Sequence, residues 1–181
     1  MPDLPISKPV LAGKAVLQGR TIRLEALPEG HLLHVMGATT SEELAAHLPA
    51  AGLKQSSVRP AGYRQWFIAG NEPLAESERQ ALADTLAGRA FICDQSHGRI
   101  RILISGPNAP QLLNKGTAVD LHPSSFPEGG SAMTLFGHIS VQLTRTGMND
   151  FELTVLRSFA ESLYEELEVL ARSQGAEQLA L

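Results

Sequence analysis

Residues 139–157 read ISVQLTRTGMNDFELTVLR, and this stretch decides the fold. Ile139, Val141 and Leu143 alternate with Ser140, Gln142 and Thr144; after TGMND the alternation resumes with Phe151, Leu153 and Val155. Successive side chains of an extended chain point to opposite faces, so each run is a strand with one apolar face. Gly147, Asn149 and Asp150 supply turn chemistry between them, which predicts an antiparallel hairpin. Phe151, Leu153 and Val155 then face the core, and Glu152 faces the other side of the sheet. Downstream the spacing turns helical. Phe159, Leu163, Leu167 and Leu170 form an apolar stripe, Glu161, Glu165 and Glu168 face outward, and Ser158 with Glu161 predicts a capping box.

Working outward, GRIRILISG at 98–106 is another strand, with Ile100, Ile102 and Ile104 opposite Arg99, Arg101 and Leu103. PNAPQLLNKG predicts a short helix with Pro107 near its first turn and Gly116 ending it. Thr117 to Met133 shows neither period and reads as a long loop, a length that in compact domains is usually functional. In the first half, KAVLQGRTIRLEAL reads as a hairpin and HLLHVMG as a strand. TSEELAAHL reads as a helix capped by Thr40 or Ser41. YRQWFIAG is a strand closed by Gly70, and ESERQALADTLAG is a helix with Leu74, Leu82 and Leu86 on one stripe and Gly88 as its stop. RAFICDQ completes the strands.

Strands in hairpins with helices between them predict an α+β fold: mostly antiparallel sheets with helices on one face, in two pseudo-repeated halves. The expected organisation is one domain over 1–181, with an irregular N-terminal arm at 1–13, a first half at 14–93, a second at 94–173 and a tail at 174–181.

The 181 residues are 43% hydrophobic and 19% charged, which suits a packed core rather than a disordered chain. A net charge of −4 without any basic run argues against nucleic acid as a partner. No apolar run reaches the length of a membrane helix, and MPDLPISKPVLAGK lacks the basic-then-apolar order of a signal peptide, so a cytoplasmic protein is expected. The single cysteine, Cys93, rules out an internal disulfide and a cysteine-built metal site, and its place in a strand predicts a buried, inert thiol.

Asp120 and His122 in AVDLHPSSFPEGG are the sharpest polar pair. Pro123 pushes His122 towards an extended conformation, so the two side chains can share a face. That suits a carboxylate orienting an imidazole, and equally two ligands of one metal ion. The other histidines, His31, His34, His47, His97 and His138, have no helical zinc-motif spacing. No serine-hydrolase elbow, phosphate-cradling loop or dinucleotide glycine pattern is present. No catalytic, cofactor-binding or metal residue is assigned from spacing.

Read in order, RQWFIAG, DQSHGRIRILISGPNAPQLLNKGTAVDLHPSSFPEGGSAMTLFGHISVQLTRTG and FELTVLRSFAESLYEEL resemble the gamma subunit family of heterotetrameric sarcosine oxidase. The resemblance implies a flavoenzyme complex that oxidises sarcosine to glycine, delivering the methyl carbon to folate or releasing it as formaldehyde. It implies that FAD, FMN, NAD and tetrahydrofolate belong to partner subunits and none to this chain. The implied partners are the alpha, beta and delta subunits, chiefly the large alpha subunit. In this family DLHP marks a cofactor-free subunit, which makes Asp120 and His122 structural or interfacial, with 1–13 and 117–133 as candidate contact surfaces and Phe126 as an anchor.

More distantly the chain resembles folate-binding aminomethyltransferases such as the glycine-cleavage T protein, through SGPNAPQLLNK and DFEL. In those enzymes the glutamate of the second segment helps hold the pterin, which points to Glu152. Their catalytic aspartate has no counterpart in ISVQLTR, and the KGCYxGQE stretch of folate-dependent iron–sulfur assembly proteins is absent. The alternative to a complex subunit is an autonomous folate-binding or aminomethyl-transferring domain that uses Glu152.

Overall fold

The computed structural model describes residues 8–179. In order, its elements are β1 (Leu17–Gln18), β2 (Arg23–Ala26), β3 (His31–Gly37), α1 (Ser41–His47), β4 (Ser57–Gly62) and β5 (Gln65–Gly70). Then come α2 (Glu76–Thr85), β6 (Ala90–Asp94), β7 (Arg99–Ser105), α3 (Ala109–Leu113) and β8 (Ser131–Phe136). The chain closes with β9 (Ile139–Gly147), β10 (Asp150–Leu156), α4 (Ala160–Ser173) and β11 (Glu177–Gln178).

Two antiparallel sheets result. The smaller has the order β4-β5-β3-β6, which is a β-α-β-β-α-β unit with its first and third strands at the centre, the split βαβ arrangement. The larger has the order β11-β1-β2-β7-β10-β9-β8. Within it β7, β9 and β10 repeat the first three strand places of the smaller sheet. The place beside β7 is taken by β2, from the N-terminal side of the chain. The fold is α+β with antiparallel sheets.

The alternation in the sequence explains the layers. Leu33, Val35, Trp66 and Ile68 pack with Leu44, Leu82 and Leu86 on the outer, helical side of the small sheet. Ile100, Ile102, Ile104, Phe151, Leu153 and Val155 do the same against Leu163, Tyr164, Leu167 and Ala171 of α4. Between the sheets lies a thinner apolar group, Leu32, Phe67 and Ala69. Thr40 caps α1, its hydroxyl accepting from the Glu43 N–H at 3.2 Å.

Three expectations need correction, and one strand, Ser57–Gly62, has no element assigned to it from the sequence; it is the edge of its sheet with a register shift at Pro60/Gly62, where a missing N–H is tolerated. The loop after α3 ends at Gly130, because β8 begins at Ser131. Ser158 does not cap α4: a 3-10 turn at Arg157–Phe159 comes first, Phe159 takes the cap position without a side-chain bond, and its ring is 49% exposed. The extra turn rotates the buried stripe onto Ala160, Leu163, Tyr164, Leu167 and Ala171. Finally, Cys93 is exposed, because β6 is the other edge of the small sheet.

Residues 1–7 of the expected N-terminal arm lie outside the described residues. Residues 9–14 form a turn closed by Ala12 N–H to Pro9 O and Lys14 N–H to Leu11 O, and Leu11 is buried in the chain's own core. Among the described residues no helix is long and apolar enough to cross a membrane.

Candidate functional site

Asp120 and His122 are both exposed and do not bond ring to carboxylate. Asp120 Oδ1 accepts the backbone N–H of His122 at 3.0 Å, and His122 Nδ1 lies 2.7 Å from Ser124 Oγ. These are local turn bonds of a kind that Asp and Ser side chains make readily. The side chain that secures residues 117–130 is Arg145 on β9, 3% exposed. Its Nη1 donates to Phe126 O at 2.8 Å and Leu121 O at 3.3 Å, its Nη2 donates to Met148 O at 2.7 Å, and its guanidinium sits 4.9 Å from the Phe151 ring centre. Phe126 and Leu121 are buried in the core of the large sheet, so Phe126 is an internal anchor and not a presented one.

The remaining histidines are dispersed. His31 is buried, its Nδ1 2.7 Å from Glu72 O, its Nε2 2.8 Å from Ser56 Oγ. The Glu72 carbonyl can only accept, so Nδ1–H donates to it. His34 stacks 4.8 Å from Phe67, and burial pushes its imidazole below the ordinary histidine range despite a bond to Gln65. Among the described residues no three His, Cys, Asp or Glu side chains converge as a metal site.

The polar centre of the molecule lies between the sheets. Glu152 faces away from the α4 core, as its alternation requires, but that face is covered by the small sheet and the residue is 2% exposed. Its Oε1 accepts from Nη1 of Arg59, which arrives from β4 and is itself 6% exposed. Arg101 of β7, 7% exposed, sits diagonally across the ladder, where Thr154 pairs with Arg101 and Glu152 with Leu103. Its Nη1 is 3.8 Å from Glu152 Oε2, while its Nη2 donates to Gly70 O and Asn71 Oδ1, both at 2.8 Å. Burial lowers the Arg101 pKa from the usual guanidinium value; Glu152 opposes that shift and Arg59 adds to it. Gln142 donates to Pro60 O at 2.7 Å, tying β9 to β4. A cavity of about 270 Å³ opens beside this cluster, lined by Arg59, Arg101, Glu152, Asn71 and Gln55 among others.

A charged cluster at the joint of two sheets buries three ionic groups that a hydrophobic seam would not need. The sequence placed Glu152 on the correct face but left Arg59 and Arg101 unassigned. Arg101 alternates with isoleucines and reads as solvent-facing until a second sheet is laid over it. The available signal was a glutamate and an arginine at mid-strand in two runs that pair, a combination that favours a cross-strand ion pair.

The model of the sarcosine oxidase, gamma subunit family matches residues 34–171. The chain belongs to this family. The gamma subunit of sarcosine oxidase from Corynebacterium sp. (strain U-96) is 34% identical over 93 residues, which cover 49% of this chain and 45% of that protein. The gamma subunit from Corynebacterium sp. (strain P-1) is 36% identical over 70 residues, 39% of this chain and 34% of that protein. These matches span less than half of either relative's length.

In three dimensions the likeness is wider. A chain of the heterotetrameric sarcosine oxidase from Corynebacterium sp. U-96 superposes with a TM-score of 0.79 at 22% identity, over 96% of this chain and 99% of that one. The glycine cleavage system aminomethyltransferase T from Bartonella henselae gives a TM-score of 0.59 at 19% identity, over 81% of this chain and 45% of that one. The sarcosine oxidase gamma family and the aminomethyltransferases therefore share this fold.

Proposed function

We propose that this chain is the gamma subunit of a heterotetrameric sarcosine oxidase-type flavoenzyme and that it contributes structure rather than catalysis. The complex oxidises sarcosine to glycine and passes the methyl carbon to tetrahydrofolate or releases it as formaldehyde. FAD, FMN, NAD and tetrahydrofolate sit in the partner subunits, and this chain packs against the large alpha subunit, in the cytoplasm.

The observation that carries this reading is the state of Glu152. Resemblance to aminomethyltransferases would give its carboxylate to a pterin. Here the carboxylate is engaged by Arg59 from the opposite sheet and flanked by Arg101. Removing a carboxylate from such a pair leaves buried guanidinium charge uncompensated, at a cost of about 3–5 kcal/mol. A pterin would have to displace that pair, so the residues present do not fit folate, and no step through folate is assigned to this chain.

Large apolar side chains left open along the sheet edges support a partner-covered surface: Phe91 on β6 is 80% exposed, and Leu135 on β8 is 55% exposed. The experiment is calorimetry of the separated chain with tetrahydrofolate, together with its visible spectrum. The expected result is a colourless protein with no folate heat. Micromolar binding that Glu152→Ala abolishes would favour the autonomous aminomethyltransferase-like domain instead.

A further inference from the structure

We infer that the cavity between the sheets is a binding site for a small monocarboxylate, held between Arg59 and Arg101. The charged side chains that line it are two guanidiniums and one carboxylate, an excess of one positive charge. Glu152 accepts from Arg59 and, at 3.4 Å, from the Thr154 hydroxyl; Arg101 Nη1 stands 3.8 Å from it, outside hydrogen-bond distance. Among the described residues, Arg59 donates through Nε to Ser57 and through Nη1 to Glu152, and Arg101 donates through Nη2 alone. That leaves Arg59 Nη2 and Arg101 Nε and Nη1 without protein acceptors among the described residues; the side chains are each 7% exposed, and these three nitrogens stay open to solvent.

Water in the cavity can meet these donors, and an anion offering two acceptor oxygens replaces that water with charge-assisted bonds and balances the excess charge. The site limits the ligand's chemistry. One net charge calls for a monoanion, and two donor groups on separate side chains suit the two oxygens of a carboxylate. Leu27 and Leu103 on the same wall suit a short apolar tail, and about 270 Å³ admits only a small molecule. A dianion such as phosphate would overcompensate the charge beside Glu152, and a pterin would compete with that carboxylate for its own partner.

The probe is isotopically labelled acetate, added to the full-length chain in the assembly in which it purifies, at constant ionic strength. The expected result is saturable binding in the millimolar range of one acetate per chain in addition to any held at the sarcosine site of a partner subunit. Arg101→Met, which leaves Glu152 and Arg59 balanced, weakens it by at least about tenfold, the scale of one charge-assisted hydrogen bond. Glu152→Gln, which removes the competing carboxylate, tightens it. A purely structural ion cluster has no reason to give that opposite response. Absence of saturable binding to the unaltered chain overturns the proposal even where a variant fails to fold. So does an affinity that both substitutions lower alike, or displacement of acetate by equimolar chloride.

Discussion

Replacing Arg145 by Met tests how the long loop after α3 is held. The methionine keeps the apolar stem against Phe151 and removes the guanidinium. Four backbone carbonyls then lose a charged donor: Phe126 at 2.8 Å, Leu121 at 3.3 Å, Met148 at 2.7 Å and Gly147 at 3.3 Å. Charged hydrogen bonds contribute roughly 1.5–3 kcal/mol each, which sets a gross loss of about 6–12 kcal/mol. Against this, the substitution relieves the desolvation of a buried guanidinium that pairs with no carboxylate among the described residues, worth several kcal/mol. The net expected cost is about 3 kcal/mol, or a fall in melting temperature of roughly 6–12 °C for a chain of this size. His122→Ala, on an exposed side chain with only local bonds, should change stability by less than about 0.5 kcal/mol. Urea denaturation of both variants beside the parent gives the comparison. If Arg145→Met falls within about 1 kcal/mol of the parent, or His122→Ala is equally damaging, the loop is held by the Asp120–His122 pair and the reasoning fails.

Three further outcomes follow from the same geometry. Glu152→Ala leaves Arg59 and Arg101 buried without their carboxylate and should cost about 3–5 kcal/mol by denaturation, clearly more than Glu161→Ala on the exposed face of α4. Tyr164 donates to Ala15 O at 2.8 Å, and burial pushes its phenol up to about 12 from 10.0. The folded state therefore holds that proton longer than the unfolded one, and the stability it contributes is intact below pH 10.0 and lost as pH climbs towards about 12. Tyr164→Phe should flatten that alkaline fall in melting temperature while costing about 1 kcal/mol at neutral pH. Cys93, exposed on an edge strand, should react with a thiol reagent in the native protein without prior unfolding.

Much of the architecture is legible in the residues because it rests on local period. The β9–β10 hairpin and α4 follow from alternation and from helical spacing, each needing only its own neighbours. The elements that escaped are those where a distant partner supplies the stability. β4 hides behind Pro60 and Gly62, which are tolerable only at a sheet edge, and edge position is a property of the assembled sheet. β8 carries exposed Met133 and Leu135 opposite Ala132 and Thr134, so its alternation lacks contrast. The phase of α4 shifted because one 3-10 turn intervened at Arg157–Phe159.

The site was harder to see than the fold. Glu152 was placed on its face by parity alone, but its main partner is 93 residues away in sequence. Arg145 acts on backbone carbonyls, which carry no side-chain signature at all. Asp120 and His122 are a recognisable pair of residue types, but Pro123 only allows a shared face, and the turn instead uses the His122 N–H.

The measurement that bears most directly on the account is purification of the tagged full-length chain from its native cell, with every co-purifying protein identified and flavin quantified. The account predicts stoichiometric recovery of a large flavin-bearing subunit, and oxygen uptake on adding sarcosine that disappears when this chain is stripped away. Recovery of the chain by itself, binding tetrahydrofolate in the absence of any other subunit, would contradict it.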